Sequence, residues 1–245
     1  DDVMTMNEGL VKRVFHEVLG IDVQTPFLRM PYREAMNRFG SDKPDMRFGM
    51  ELCDVTEAVK DSTFVVFQSA VQAGGSVRAL VAKGMADKLT RKEIDKLVEV
   101  AKTYGAKGLA YTRWTSEACS SSFEKFLTED EKKALYAAAG MEQGDVLLIA
   151  ADASWEKACT VLGAVRLAIG EKFDLIDKDA FAFLWVTDFP LFEYDEENGR
   201  YVAKHHPFTM PKDEDLDRLE TDPANCRAKA YDMVLNGCEV GGGSI

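Results

Sequence analysis

Lys204-His205-His206-Pro207-Phe208-Thr209, with Tyr231-Asp232-Met233-Val234-Leu235-Asn236-Gly237-Cys238-Glu239-Val240-Gly241-Gly242-Gly243-Ser244-Ile245 after it, carries the densest chemistry of this chain. Two of the three histidines stand side by side before a proline, and an acidic pair, Asp232 and Glu239, precedes a triple glycine. A histidine can donate to a carboxylate, two carboxylates can hold Mg²⁺, and bare glycine backbone can pass close to phosphate or sugar. Each element alone has an ordinary explanation, a surface histidine pair or a flexible glycine tail. Together they suit a site for an acidic small molecule and a nucleotide.

Working outward, the apolar run 181–189 around Trp185 predicts a strand ending at Pro190. Asn198-Gly199 predicts a hairpin turn, with 201–208 returning antiparallel. On that returning strand His205 and His206 would point to opposite faces. The acidic stretch 213–222 reads as a solvated connection. Asp222-Pro223 predicts a helix start and Asn236-Gly237 its end, which puts Asp232 in the last helical turn and Glu239 at the head of the next strand. The two carboxylates could then meet across that turn.

Further out, Leu10, Val11, Val14, Phe15, Val18 and Leu19 follow the spacing of a core-facing helical stripe closed by Gly20. A short extended piece, 21–30, leads to a second helix between Pro31 and Gly40. The polar break Ser41-Asp42-Lys43-Pro44-Asp45 predicts a domain boundary. Across 48–177 short strands and helices alternate. Phe64-Val65-Val66-Phe67 and Val77 to Val81 are strand candidates, and Val146 to Ala150 a central strand. Thr90-Arg91-Lys92-Glu93 and Thr128-Glu129-Asp130-Glu131 are capping boxes, and Ser154 opens a helix with Ala158, Leu162 and Val165 inward. This pattern predicts a two-layer α+β unit.

Composition narrows the class. With 46% hydrophobic and 10% aromatic residues the chain is globular, and a net charge of −12 argues against a general phosphate-backbone binder. The five cysteines are scattered, never C-x-x-C, as expected for reduced thiols in a cytosolic protein. No run approaches the length of a membrane span. Asp1-Asp2-Val3 lacks an initiating Met and reads as an internal start. No Ser-His or Cys-His nucleophile pair is evident, so no catalytic residue is assigned.

Four blocks resemble bacterial-type aspartyl-tRNA synthetases, class II enzymes: Phe39-Gly40-Ser41-Asp42-Lys43-Pro44-Asp45, Tyr104 to Tyr111, His205 to Thr209, and Tyr231 to Val234 with Glu239 to Ser244. The resemblance implies an internal fragment, inactive by itself. Its 48–177 segment looks like the GAD insertion domain, an antiparallel sheet with helices, set between catalytic-domain segments 1–47 and 178–245. The catalytic domain is expected to be an antiparallel-sheet α+β fold. The resemblance further implies that His205, His206 and Ser244 belong to the substrate site, His205 helping to bind aspartate and His206 supporting that strand, that Glu239 contacts ATP, and that Asp232 and Glu239 share Mg²⁺. The implied partners are aspartate, ATP and tRNA-Asp, with tRNA-Asn left open. The implied whole enzyme is a cytoplasmic homodimer with no membrane contact. The alternative is a non-catalytic, tRNA-contacting GAD module of an amidotransferase, and a weaker rival is a paralogue that makes a free amino acid amide.

Overall fold

The structure, a computed structural model, describes residues 2–245; Asp1, the head of the opening stretch, lies outside them. In chain order α1 (Asp2–Leu19), β1 (Leu28–Pro31), α2 (Tyr32–Phe39), β2 (Leu52–Asp54) and α3 (Val65–Gln72) come first. They are followed by β3 (Ser76–Ala82), α4 (Arg91–Thr103), β4 (Ala110–Trp114), β5 (Cys119–Ser121) and α5 (Glu129–Ala139). Next are β6 (Val146–Asp152), α6 (Trp155–Lys172), β7 (Phe183–Thr187), β8 (Phe192–Asp195) and β9 (Arg200–Ala203), and last β10 (Ala230–Leu235) and β11 (Cys238–Ser244). One compact unit holds the chain through Glu34, Lys43–Arg47 and Lys178–Ile245; the other holds Ala35–Asp42 and Phe48–Asp177. Residues 35–42, placed by the sequence reading in the first segment, thus join the second unit.

The second unit is built on an antiparallel sheet of order β2-β3-β6-β4-β5, with β6 at its centre. Every residue of β3 is buried. On one face Val77, Ala79, Val81, Leu147 and Ile149 pack against Phe67 and Ala70 of α3 and Leu135 of α5. Helix α6 packs on the same strands, and Arg91 of α4 donates to the Tyr111 hydroxyl on the far side of β4. Helices therefore cover both faces, where two layers were expected.

Two local expectations fail here. Phe64 to Phe67 opens α3 rather than forming a strand. The apolar run is four residues long, and its continuation, Gln68-Ser69-Ala70, places Phe67 and Ala70 one helical step apart on the buried side while Val65 and Val66 face solvent. At Thr90 the hydroxyl makes no capping bond, and Glu93 instead pairs with Lys96 and Lys172. Competing cations draw the glutamate away. The Thr128–Glu131 capping box forms in full, and Gly140 closes α5 at φ 65°.

The first unit holds a sheet of order β1-β7-β10-β11. β7, β10 and β11 are antiparallel, while β1 runs parallel to β7, so this sheet is mixed. Met4, Val23, Phe27, Trp185 and Met233 form the core beneath α1. α1 presents Met4, Glu8, Val11 and Phe15 to that core, whereas Leu10, Val14, Val18 and Leu19 are exposed. Apolar residues lie on both sides of α1, so of the expected stripe Val11 and Phe15 face the core and the other four do not. Glu8 is buried because the Trp185 indole Nε1 donates to its Oε1 at 2.9 Å.

The segment expected as a helix from Asp222 makes only a short 3₁₀ turn, Pro223–Asn225, before β10. Asn236 and Gly237, at φ 53° and 84°, form the two-residue turn of a β10–β11 hairpin. β9 ends at Ala203, so His205 and His206 lie beyond it and strand alternation does not place them. The 213–218 stretch is a 3₁₀ helix, and its Asp215 is fully buried, not solvated.

Candidate functional site

The hairpin β10–β11 sorts its side chains by register. Tyr231 and Met233 turn toward α1, so Asp232 and Val234 lie on the opposite face, where their cross-strand partners are Gly242 and Glu239. A bulge between Met233 and Val234 shifts the register there and keeps Glu239 on the Asp232 side. A Cβ on Gly242 would lie 2.3 Å from Asp232 Oδ1 and 3.4 Å from Glu239 Oε1. Two carboxylates therefore converge over bare backbone. Gly243 is bare for another reason: its Cβ would meet the Tyr231 ring at 3.1 Å.

Lys43 completes this end of the site. Asp45 is buried, accepts from Arg47 Nη2 at 2.7 Å and Arg47 Nε at 2.9 Å, and packs against Gly237, whose Cβ would lie 3.2 Å from Asp45 Cβ. Seated on the hairpin turn in this way, the 43–47 loop brings Lys43 Nζ to 2.8 Å from Glu239 Oε2. The domain break expected over Ser41 to Asp45 gives neither Lys43 nor Asp45 a part in the site. The detectable signal was a charged triplet around a proline, which also fits an ordinary turn.

At the other end of β11, Ser244 lies two residues beyond Gly242 on the same face. Thr209, buried, donates to Ser244 Oγ at 3.4 Å, and the Ile245 N–H donates to the Lys229 carbonyl at 3.0 Å. This ties the histidine loop to the strand end. The His205 ring meets Phe189 edge-on at a centroid distance of 5.1 Å and is exposed. His206 accepts from the Phe208 N–H through Nδ1 at 3.2 Å, and its carbonyl accepts from Thr209 N–H at 3.0 Å. His206 thus holds the turn, while His205 presents a ring at the surface.

Neighbouring charges are structural. Asp215 accepts from Arg227 Nε at 2.8 Å, from the Arg227 backbone N–H at 2.9 Å and from Arg218. The Arg227 hydrogen bond, outweighing burial, holds its carboxyl well below the usual carboxylate range. Lys212 pairs with Asp188.

A family model described as tRNA synthetases class II (D, K and N) matches residues 1–245. The chain belongs to this family. It is 58% identical over its whole length to an aspartate–tRNA ligase of Ruminiclostridium cellulolyticum, covering 41% of that protein. It is 56% identical to an aspartate–tRNA(Asp/Asn) ligase of Lachnoclostridium phytofermentans and 54% identical to one of Anoxybacillus flavithermus, again spanning 41% of each. The chain thus spans about two fifths of the relatives it matches. Because the match of this class II synthetase chain includes both flanks of 48–177, an isolated amidotransferase module is not favoured. Among the described residues no helix is long and apolar enough to cross a membrane, and the five cysteines are free.

Proposed function

We propose that this chain is the part of an aspartate–tRNA ligase that holds aspartate near the Ser244 end of β11 and ATP near the Glu239 end. The observation that carries the reading is the convergence of Asp232 and Glu239 over Gly242. Two carboxylates are the usual protein share of a Mg²⁺ site, which takes its remaining ligands from water and phosphate. Lys43 beside Glu239 supports the same view, since this position already draws a cation. When bound there, Mg²⁺ would supply neutralisation of phosphate charge.

In this reading Asp232 and Glu239 orient the ATP phosphates, and Gly242 lets them do so by leaving space beside the strand. The exposed His205 imidazole donates to the substrate carboxylate, His206 fixes the loop that carries it, and Ser244 adds a hydroxyl. No side-chain nucleophile is required, because adenylate formation and transfer proceed by positioning reactive groups and neutralising charge. The whole protein would charge tRNA-Asp, and the relatives named for both Asp and Asn leave tRNA-Asn open. The same reading makes it a cytoplasmic homodimer, with 48–177 as an inserted domain of GAD type.

Amino acid-dependent ATP–pyrophosphate exchange by the whole protein tests this. Exchange with aspartate and none with lysine or asparagine is expected; exchange with asparagine or lysine in place of aspartate would overturn it.

A further inference from the structure

The second unit contains a cavity of about 660 Å³ on the α3 side of its sheet. Its origin is local. α3 has eight residues and packs on β3 and β6, and the cavity opens beside it over the start of β4 and the end of β6. Leu109, Ala110 and Ile149 form the floor, Phe67 and Ala70 form the wall, and Val66, 49% exposed, stands at the rim. The volume lies in the range of small-molecule sites, about 300–1,000 Å³, and mostly apolar walls with a few polar groups at one end are their usual chemistry.

The polar end is cationic. Lys157 Nζ lies 3.0 Å from Asp152 Oδ2, and both line the cavity. Lys107 also lines it, is exposed, and forms no ion pair among the described residues. Two ammonium groups against one carboxylate leave one positive charge in excess at the mouth. Asp152 is held below its ordinary range by the Ser154 N–H, Lys157 and Lys107, against the effect of burial, so it stays ionised and paired at neutral pH.

We infer that this cavity binds a small amphipathic acid, with an apolar body against Phe64, Val66 and Ala110 and a carboxylate at Lys107. An aliphatic or aryl monocarboxylate fits both the walls and the charge. A neutral molecule of the same length satisfies only the walls, and a dianion without an apolar body satisfies only the rim. The cavity's lining residues all belong to the second unit, so the inference does not depend on the aspartate–ATP reading.

The probe is decanoate, with decanol as the neutral control, titrated below micelle-forming concentration into the methyl-labelled chain and followed by NMR. Saturable shifts are expected at the Leu109, Ile149 and Val66 methyls and none at the exposed Val14 and Val18 methyls of α1. Decanoate should bind about two- to fivefold more tightly than decanol, the range of an exposed ion pair, and K107A should remove that advantage. A70W, which fills the cavity, should abolish the shifts. V66E changes a solvent-facing residue and keeps the fold, and its rim carboxylate should weaken decanoate but not decanol. Shifts equal at α1 and at Ile149, equal affinity for decanoate and decanol, or decanoate binding unaltered by V66E would each overturn the proposal.

Discussion

Lys43 Nζ sits 2.8 Å from Glu239 Oε2, so the 43–47 loop, which in sequence interrupts the second unit, supplies a cation to the carboxylate pair of the last hairpin. Both side chains are partly exposed, and the ion pair is of the weak kind. Its significance is competitive. An ammonium beside Glu239 opposes a second cation there. K43A should therefore raise Mn²⁺ affinity of the chain by about two- to fivefold, the equivalent of one exposed ion pair, read by electron paramagnetic resonance. Weaker Mn²⁺ binding by K43A would show that Lys43 assists the cation rather than competing with it.

Gly242 and Gly241 are neighbours with opposite expectations. A methyl at Gly242 would press on Asp232 Oδ1, the far end of a side chain, so the carboxylate moves and the strand stays. A methyl at Gly241 meets nothing within 4 Å. G242A should lower Mn²⁺ affinity about tenfold, equivalent to about 1.4 kcal/mol, with little change in thermal midpoint. G241A should bind as wild type does. Equal effects from the two substitutions would remove Gly242 from the account.

Asp215 contributes acid-sensitive stability to the first unit. Its folded pKa lies below the ordinary value near 4, so the unfolded chain binds the proton more readily. The stabilisation is complete above about pH 4 and is lost as pH falls from there toward the lower folded value. D215A should cost about 1.5–3 kcal/mol at pH 7, the loss of hydrogen bonds to a charged group. Urea midpoints at pH 7 and pH 3 check both points: the wild-type decrease between them should exceed that of D215A. Parallel decreases would assign acid lability elsewhere.

The sequence made some of this legible, for identifiable reasons. Val146 to Ala150 reads as a central strand because it is apolar on both faces, and it occupies the middle of its sheet. Ser154 and Thr128 read as helix starts because cap chemistry is local, and both caps form. Asn-Gly was harder. The same dipeptide occurs twice: at 198–199 it lies in a hairpin loop, as expected, whereas at 236–237, where a helix end is expected, it turns a second hairpin. At 236–237 the deciding fact is pairing of β10 with β7, a contact some fifty residues away in sequence that no local pattern displays. That pairing turned Asp232 from a helix-end residue into a strand residue facing Glu239.

The site residues divided along similar lines. Asp232 and Glu239 were selected by residue type, and they do converge, though across a strand pair rather than a helix end. Lys43 and Asp45 escaped selection because their roles come from packing of the 43–47 loop on Gly237. Glu8 shows the same limit, since only the Trp185 indole explains an acidic residue inside the core.

The most direct test of the two-ended site is a pair of substitutions in the whole protein, E239Q and H205A, with KM for ATP and for aspartate measured separately by ATP–pyrophosphate exchange. Losing a hydrogen bond to a charged group costs about 1.5–3 kcal/mol, so H205A should raise the KM for aspartate about tenfold or more and leave that for ATP nearly unchanged. E239Q should do the reverse, with its defect eased by added Mg²⁺. If both substitutions raise the two KM values in parallel, or if H205A acts on ATP and E239Q on aspartate, the assignment of the two ends of β11 is contradicted.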